Sequence, residues 1–290
     1  MAVSAHSPAI AGLNRICEFG RAELEFRPNQ LAQIVMPDST TEPPKSGQQP
    51  HPPLKAHYQS LDQKQTFLRD VFDRSAPYYE GIARWGFFGT GGWYRRWALQ
   101  RAGLKAGMKV LDVATGTGPT ARAIASVTKE PGQIVCVEPS RGMLLESRKL
   151  LPEATYLQAG ADDLPLADDS FDFLTMGFAL RHVNSLDQTF REYLRVLKPG
   201  GKVLVLDITK PEGRVGITMW KVYFRDLMPW ITRLFTRSKD ASYLMRYYWE
   251  TMEQMVPPQD VLASMECAGF ENVTHTLILG CFSEYEAKKP

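Results

Sequence analysis

Cysteine is scarce in this chain, with four in 290 residues: Cys17, Cys136, Cys267 and Cys281. They stand far apart, without a Cys-x-x-Cys pair or a neighbouring His set, so no metal site is expected. Cys136, in an apolar run, reads as a reduced core residue. Excess charge is also missing: 34 Lys and Arg stand against 32 Asp and Glu, a net +2. No run of Lys and Arg is interleaved with aromatics, so nucleic acid is not an expected partner. No uninterrupted apolar stretch reaches the ~20 residues of a spanning helix. The N-terminus has no basic region leading into an apolar run, which makes the cytoplasm the default compartment. What is present, 44% hydrophobic and 23% charged residues, suffices for a full core in one α/β domain with an appendage.

Apolar residues almost vanish from "PDSTTEPPKSGQQPHPP", residues 37–53. Such a stretch does not offset its own ordering entropy, so residues 1–60 are expected to form a disordered extension and Pro-rich linker before a folded domain at 61–290. Arg15, Arg21 and Arg27 are matched by Glu18, Glu23 and Glu25, against a mitochondrial presequence, and Met36 is an alternative start. Helices are expected through "QKQTFLRDVFDRSAPYY" and "GWYRRWALQRAG". Then short apolar runs at 109–114, 133–138, 155–159, 171–177 and 202–208 alternate with amphipathic stretches at 119–127, 141–150 and 186–197. "KPGG", 198–201, should end the last helix and begin the next strand. Alternating strand and helix units imply a parallel sheet covered on both faces, with its ligand at the strands' C-terminal ends.

At that edge lies "KVLDVATGTGPTARAIA", in which Ala114, Thr115, Gly116, Thr117 and Gly118 form a turn between a strand and a helix. Such a turn lets a ligand approach the backbone, and the helix N-terminus offers unpaired N–H groups. A dinucleotide and a nucleoside with a polar tail both suit it, as they suit Glu138, about 20 residues on, as a ribose acceptor. Asp112 discriminates: a carboxylate near the loop repels a pyrophosphate but helps to organise an ammonium-bearing ligand. The bland alternative is a strand-end acid bonded to loop amides.

"VLDVATGTG", "VCVEPSRGML", "AGADDLPLADDSFDFLTMGFALRHV" and "FREYLRVLKPGGKVLVLDITKPEG" together resemble the successive motifs of class I S-adenosylmethionine-dependent methyltransferases. Within these they are most similar to the ubiquinone/menaquinone biosynthesis C-methyltransferases, over about residues 65–290 and most densely from Val110 to Pro211. The resemblance implies a doubly wound, mostly parallel seven-stranded sheet of Rossmann-like type, with an N-terminal helical cap and a helical lid insertion at about 212–256. It implies S-adenosyl-L-methionine as cofactor. The Gly116 and Gly118 backbone, with Ala114 and Thr117, would hold the methionine part and Glu138 the ribose. Gly160 stands where the family has Asp or Asn for adenine, leaving Asp162 or Asp163 beside Ala161 as substitutes. Gly177 stands where the family often has Ser, and Tyr79 matches a Tyr of the N-terminal helix that closes over the ligand.

"GFALRHVNS" resembles the family's Gly-Leu-Arg-Asn segment, which implies catalytic roles for Arg181 and His182. A guanidinium keeps its protons, so Arg181 would act electrostatically, stabilising a phenolate beside a sulfonium donor. His182 replaces the family's Asn and is expected to accept a proton at neutral pH. Both residues would otherwise tie the loop to neighbouring carboxylates. His275, in a C-terminal strand pattern, reads as structural. Positioning, worth roughly 7 to 11 kcal/mol, should outweigh a positioned base at roughly 3 to 5.

Beyond the fifth strand, Trp220, Phe224 and Leu227, then Trp230, Leu234 and Phe235, are spaced for one face of interrupted helices and read as the apolar inner wall of a lid. Eight basic and four acidic residues between Lys210 and Glu250 leave peripheral membrane contact open, as homodimerisation is left open. The leading expectation is methylation of a small, apolar, phenol-like acceptor, sharpest as C-methylation of a prenylated quinol. An O- or N-methyltransferase of a secondary metabolite or lipid, and a non-catalytic nucleotide-binding accessory protein, are the alternatives. A nicotinamide dehydrogenase fits least, since no paired Tyr and Lys or His-carboxylate hydride site is evident.

Overall fold

The computed structural model describes residues 47–86 and 89–290. The expected disorder before residue 47, and the alternative start at Met36, lie outside the described residues.

The central apolar runs form strands whose two faces are both covered. In β1 (Val110–Val113), Leu111 and Val113 join one buried cluster while Val110 joins another. β5 (Leu197–Ile208) does the same, with Val203 and Val205 on one side and Leu204, Leu206 and Ile208 on the other. A period of two without a polar face is the pattern of strands buried between helical layers.

With β2 (Ile134–Val137), β3 (Thr155–Leu157), β4 (Phe171–Gly177), β6 (Glu271–Ile278) and β7 (Phe282–Lys288), these strands make one seven-stranded sheet in the order β3-β2-β1-β4-β5-β7-β6. Val110 pairs in parallel with Ile134 on one side and Phe173 on the other, and Phe173 pairs with Lys202. β7 runs antiparallel to β5, with Ile208 opposite Phe282, and β6 antiparallel to β7. α3 (Pro119–Thr128), α4 (Arg141–Leu150) and α5 (Leu186–Val196) are crossover helices. Strand order reverses between β1 and β4, which opens a crevice at their C-terminal ends. The doubly wound, mostly parallel sheet expected from the sequence is therefore present. α1 (Leu61–Gly86) packs against α4 and against α8 (Lys239–Gln254). α2 (Gly91–Arg101) covers α3. α6 (Arg214–Lys221), a π turn (Val222–Leu227) and α7 (Met228–Thr236) precede α8, and α9 (Pro258–Ala268) lies on α5. His275 serves the sheet, its Nε2 lying 2.9 Å from Ser283 Oγ.

Two expectations need correction. "KPGG" lies inside β5, with Gly200 at φ 78° and a register slip between Phe171 and Phe173, so it is a bulge. The folded domain also begins before residue 61. Residues 47–60 form a strap along the molecule, with His51, Leu54 and Tyr58 each 3–4% exposed. The Gln48 carbonyl accepts from Leu186 N and the Pro50 carbonyl from Val256 N, both at 2.8 Å. Gln48 Nε2 donates to Asp260. Proline-restricted backbone loses less freedom on docking, so two apolar anchors and a few hydrogen bonds suffice to hold it.

Candidate active site

The turn after β1 is shaped by three left-handed positions, Ala114 at φ 53°, Gly116 at φ 57° and Gly118 at φ 86°. Thr115 N donates to the Val137 carbonyl and Gly118 N to the Thr115 carbonyl, closing the turn against β2. Glu138, at the end of β2, accepts from Gly116 N and Ser140 N, each at 2.9 Å, one on each carboxylate oxygen. Each oxygen keeps a free lone pair, so two further hydroxyl donors fit. Burial lifts the Glu138 carboxyl from 4.5 to about 7 against the pull of those two N–H groups.

Turn and carboxylate line a cavity of about 940 Å³, a size suited to a small-molecule ligand. Ala114, Gly116, Glu138, Gly160, Ala161, Asp162 and Gly177 of the expected donor residues line it, together with Tyr79. A Cβ built on Gly116 or Gly160 meets nothing within 4 Å, so the loops present open space to a ligand. At Gly177 a Cβ would collide with the Thr120 hydroxyl, so the serine of the resembled family would require that side chain to turn aside. Asp162 accepts from Asn184 Nδ2 at 2.7 Å, tying its loop to the start of α5.

Asp112, Thr117 and Gly118 do not line the cavity. Asp112 is fully buried beneath the turn, where Oδ2 accepts from Thr115 Oγ1 at 2.5 Å, and burial raises its carboxyl to about 7. It takes up the bland alternative, with a side-chain hydroxyl in place of loop amides. Thr117 donates instead to Glu80 of α1, which also pairs with Arg122, so this threonine ties the helical cap to the turn. A Cβ at Gly118 would strike the Ser147 hydroxyl, so that glycine permits helix packing.

Arg181 and His182 sit on a 3₁₀ turn (Leu180–His182) after β4, and both line the cavity. Arg181 is 3% exposed, donates from Nη1 to Asp207 Oδ1 at 2.7 Å and lies 4.8 Å from the Tyr248 ring centroid. Its Nε has no partner in the structure. The guanidinium is thus tied to a carboxylate through Nη1, while its buried Nε is unpaired. At His182, burial, with the cations of Arg181 and Lys64 beside it, holds the pKa well below 6.5. At neutral pH this side chain is an uncharged imidazole, stacked on Tyr247 at 5.6 Å, and a weak proton acceptor.

The cavity's apolar wall comes from Leu68 and Phe72 of α1, Phe224 of the π turn, Met228 of α7, and Met245 and Met252 of α8, with Gln65 and Arg69 of α1 beside it. The Tyr248 hydroxyl donates to Tyr79 at 2.9 Å, joining lid to cap. Trp220 is buried as expected, but Leu227, Trp230, Leu234 and Phe235 are exposed. The π turn supplies the reason: its wider coil rotates the helix beyond it relative to a 3.6-residue pattern.

Sequence reasoning missed Arg95, which lines the cavity at 6% exposure with its guanidinium 4.8 Å from the Phe178 ring centroid. Its signal was present, since Arg95 falls on the buried face of α2 with Gly91, Ala98 and Leu99. Lys64, donating at 2.7 Å to the Val183 carbonyl, and His51, packed near Arg181, were also missed.

The ubiE/COQ5 methyltransferase family profile matches residues 59–286. Ubiquinone/menaquinone biosynthesis C-methyltransferase UbiE of Shewanella pealeana is 35% identical over 222 residues, 74% of this chain and 87% of that protein. The protein of the same name from Idiomarina loihiensis is 33% identical over 226 residues, 76% and 88% of the two chains. Among solved structures, the SAM-dependent methyltransferase of Aquifex aeolicus is similar with a TM-score of 0.50 and 22% identity, over 68% of this chain and 89% of that one. Phosphoethanolamine N-methyltransferase 2 of Haemonchus contortus, in complex with S-adenosyl-L-methionine, has a TM-score of 0.56 at 19% identity, over 77% and 60%. These two likenesses concern the fold alone.

Proposed function

The chain belongs to the ubiE/COQ5 methyltransferase family and is an S-adenosyl-L-methionine-dependent methyltransferase, and from that premise we propose that it methylates a ring carbon of a prenylated quinol. The observation that carries this reading is Arg181: a buried cation lining an apolar cavity that the glycine turn and Glu138 also line.

In this reading Glu138 accepts from the donor's two ribose hydroxyls. The backbone around Gly116 receives the methionine end, with Asp112 and Thr117 shaping the turn from beneath. Gly160, Ala161 and Asp162 border the adenine, and Tyr79, held by Tyr248, closes the cap over the site. When bound, S-adenosyl-L-methionine supplies a methyl group already activated on a sulfonium. The chain therefore has to orient the acceptor, exclude water and bias its charge. Arg181 does the last, placing a permanent positive charge beside the acceptor's hydroxyl so that the phenolate, and with it electron density on the ring carbon, is favoured. His182, held neutral, shapes the pocket beside it. The methionine-rich wall accommodates an isoprenoid tail, since unbranched thioether side chains adapt to irregular apolar shapes.

The test uses a short-chain prenylated quinol, kept reduced and deuterated at the free ring carbon, incubated with the enzyme and donor and followed by mass spectrometry. Carbon methylation gains a methyl group and loses one deuteron. A methylated product that keeps all its deuterium would overturn the reading in favour of O-methylation, and no methylated product would overturn it outright.

A further inference from the structure

Methyl transfer leaves the outer surface of the lid unused. Val215, Met219, Val222, Trp230 and Leu234 are 74, 69, 52, 61 and 56% exposed along α6, the π turn and α7. The opposite side of the same run is committed to the fold, where Trp220, Met228 and Thr232 are buried and Phe224 and Met228 wall the cavity. A run with one apolar face in the core and another in solvent differs from an ordinary surface helix, whose outer face is polar.

The charges along this run are mostly positive. Between Arg214 and Arg237 the run carries Arg214, Lys221, Arg225, Arg233 and Arg237 against one acid, Asp226. Asp226 is bound by Arg225 through two 2.9 Å contacts, and from outside the run Glu253 lies 3.8 Å from Lys221. No helix among the described residues is long and apolar enough to cross a membrane. Exposed Trp, Leu, Met and Val rimmed by Arg and Lys match a helix lying in the plane of a lipid interface. A second copy seated on this face would bring two sets of excess cations together, whereas an anionic surface complements them.

We propose that the outer face of α6, the π turn and α7 docks on an anionic lipid bilayer, with the apolar side chains among the headgroups and the cations on lipid phosphates. Docking stands on the exposed face alone. Its consequence for catalysis, that a prenylated acceptor passes from bilayer to cavity beside the same helices, rests on the function proposed above.

The test sediments the full chain with vesicles of phosphatidylcholine alone or with about a third phosphatidylglycerol, at low and at physiological salt. Expected is at least roughly tenfold stronger partitioning onto the anionic vesicles, weakening as salt rises. Trp230→Glu with Leu234→Glu should abolish it, while thermal melting and donor binding show that the variant is folded. Val215→Glu with Met219→Glu gives a second reading should the first variant fail to fold. A wild-type chain that stays in the supernatant with anionic vesicles overturns docking. So does a dimer in analytical ultracentrifugation that either variant converts to monomer, since a second copy then covers the face. Methylation of a short-chain quinol in vesicle-free buffer separates the two claims: its success without vesicle binding defeats docking alone, and vesicle binding without methylation defeats the quinol reading alone.

Discussion

The donor side of the cavity and the acceptor side are built in opposite ways. The donor side is mostly local: the turn after β1, Glu138 after β2 and the loop at 160–162 each follow a strand, the first two joined through backbone N–H groups and the third held by the side chains of Asn184 and Gln188. The acceptor side is assembled from afar, with Arg181 between Asp207 and Tyr248, His182 against Tyr247, and the strap at 47–60 binding α5, α8 and the segment leading into α9. On both sides burial favours the uncharged form of a titratable group. Burial raises the carboxyls of Glu138 and Asp112 to about 7, and lowers the His51 imidazole from 6.5 to about 4. Local strand ends thus carry chemistry that a general donor needs, while long-range contacts shape what is particular to the acceptor.

Removing the strap should break this comparison hardest. A chain beginning at residue 59, measured against one beginning at 47, loses the burial of Leu54 and Tyr58, worth roughly 3 to 5 kcal/mol in a melting experiment. Acceptor turnover should fall further than donor affinity, and equal losses would show that the two sides are one unit. In the longer chain the strap's contribution should fade below neutral pH. His51 is neutral when docked and takes a proton when released, so stability is lost as pH falls from about 6.5 towards 4.

Arg181→Lys comes next. It keeps the charge but loses the planar fork that reaches Asp207, and single-turnover rates should drop by about 10²-fold. Donor affinity measured by calorimetry should hold, and a parallel drop would place Arg181 on the donor side.

Glu138→Gln sharpens the other side. Replacing an ionised acceptor should weaken donor binding by roughly 1.5 to 3 kcal/mol with acceptor KM unaffected. In the wild type, ribose hydroxyls favour the ionised carboxylate, so donor affinity should rise by about tenfold between pH 6 and 8 as one proton is released. The same shift works against the donor-free fold: stability from Glu138 is fully present below 4.5 and lost as pH rises through about 7. A flat affinity profile would remove Glu138 from the ribose.

The smallest effect is expected of His182→Asn. With the imidazole already neutral, the turnover profile between pH 6 and 8 should keep its shape and the rate should change by no more than about threefold. A lost ionisation near 6.5 would restore the histidine as a proton acceptor.

The same contrast decides what could be read from the sequence. Strand and turn patterns are short-range, so the sheet, the Gly116 turn and Glu138 were legible from neighbouring stretches of chain. Asp112 was legible as a strand-end acid, but only the fold shows that Thr115 takes its oxygen and keeps it from the cavity. Trp230 and Leu234 were assigned to the lid's inner wall because a π turn leaves no mark in a 3.6-residue periodicity. His51 was lost in a segment judged by average composition, although its docking depends on two side chains just past the segment's end, Leu54 and Tyr58.

The strap has a consequence for the order in which the chain is completed. Its hydrogen bonds to Asp187, Tyr243, Glu250 and Asp260 span 139, 186, 193 and 212 residues. During synthesis the strap precedes all of these partners, and none of them exists until the reactive loop is made. Contacts of such separation close the longest loops and form late. The segment that fastens the acceptor side is therefore made before every one of its partners and is among the last to find its place.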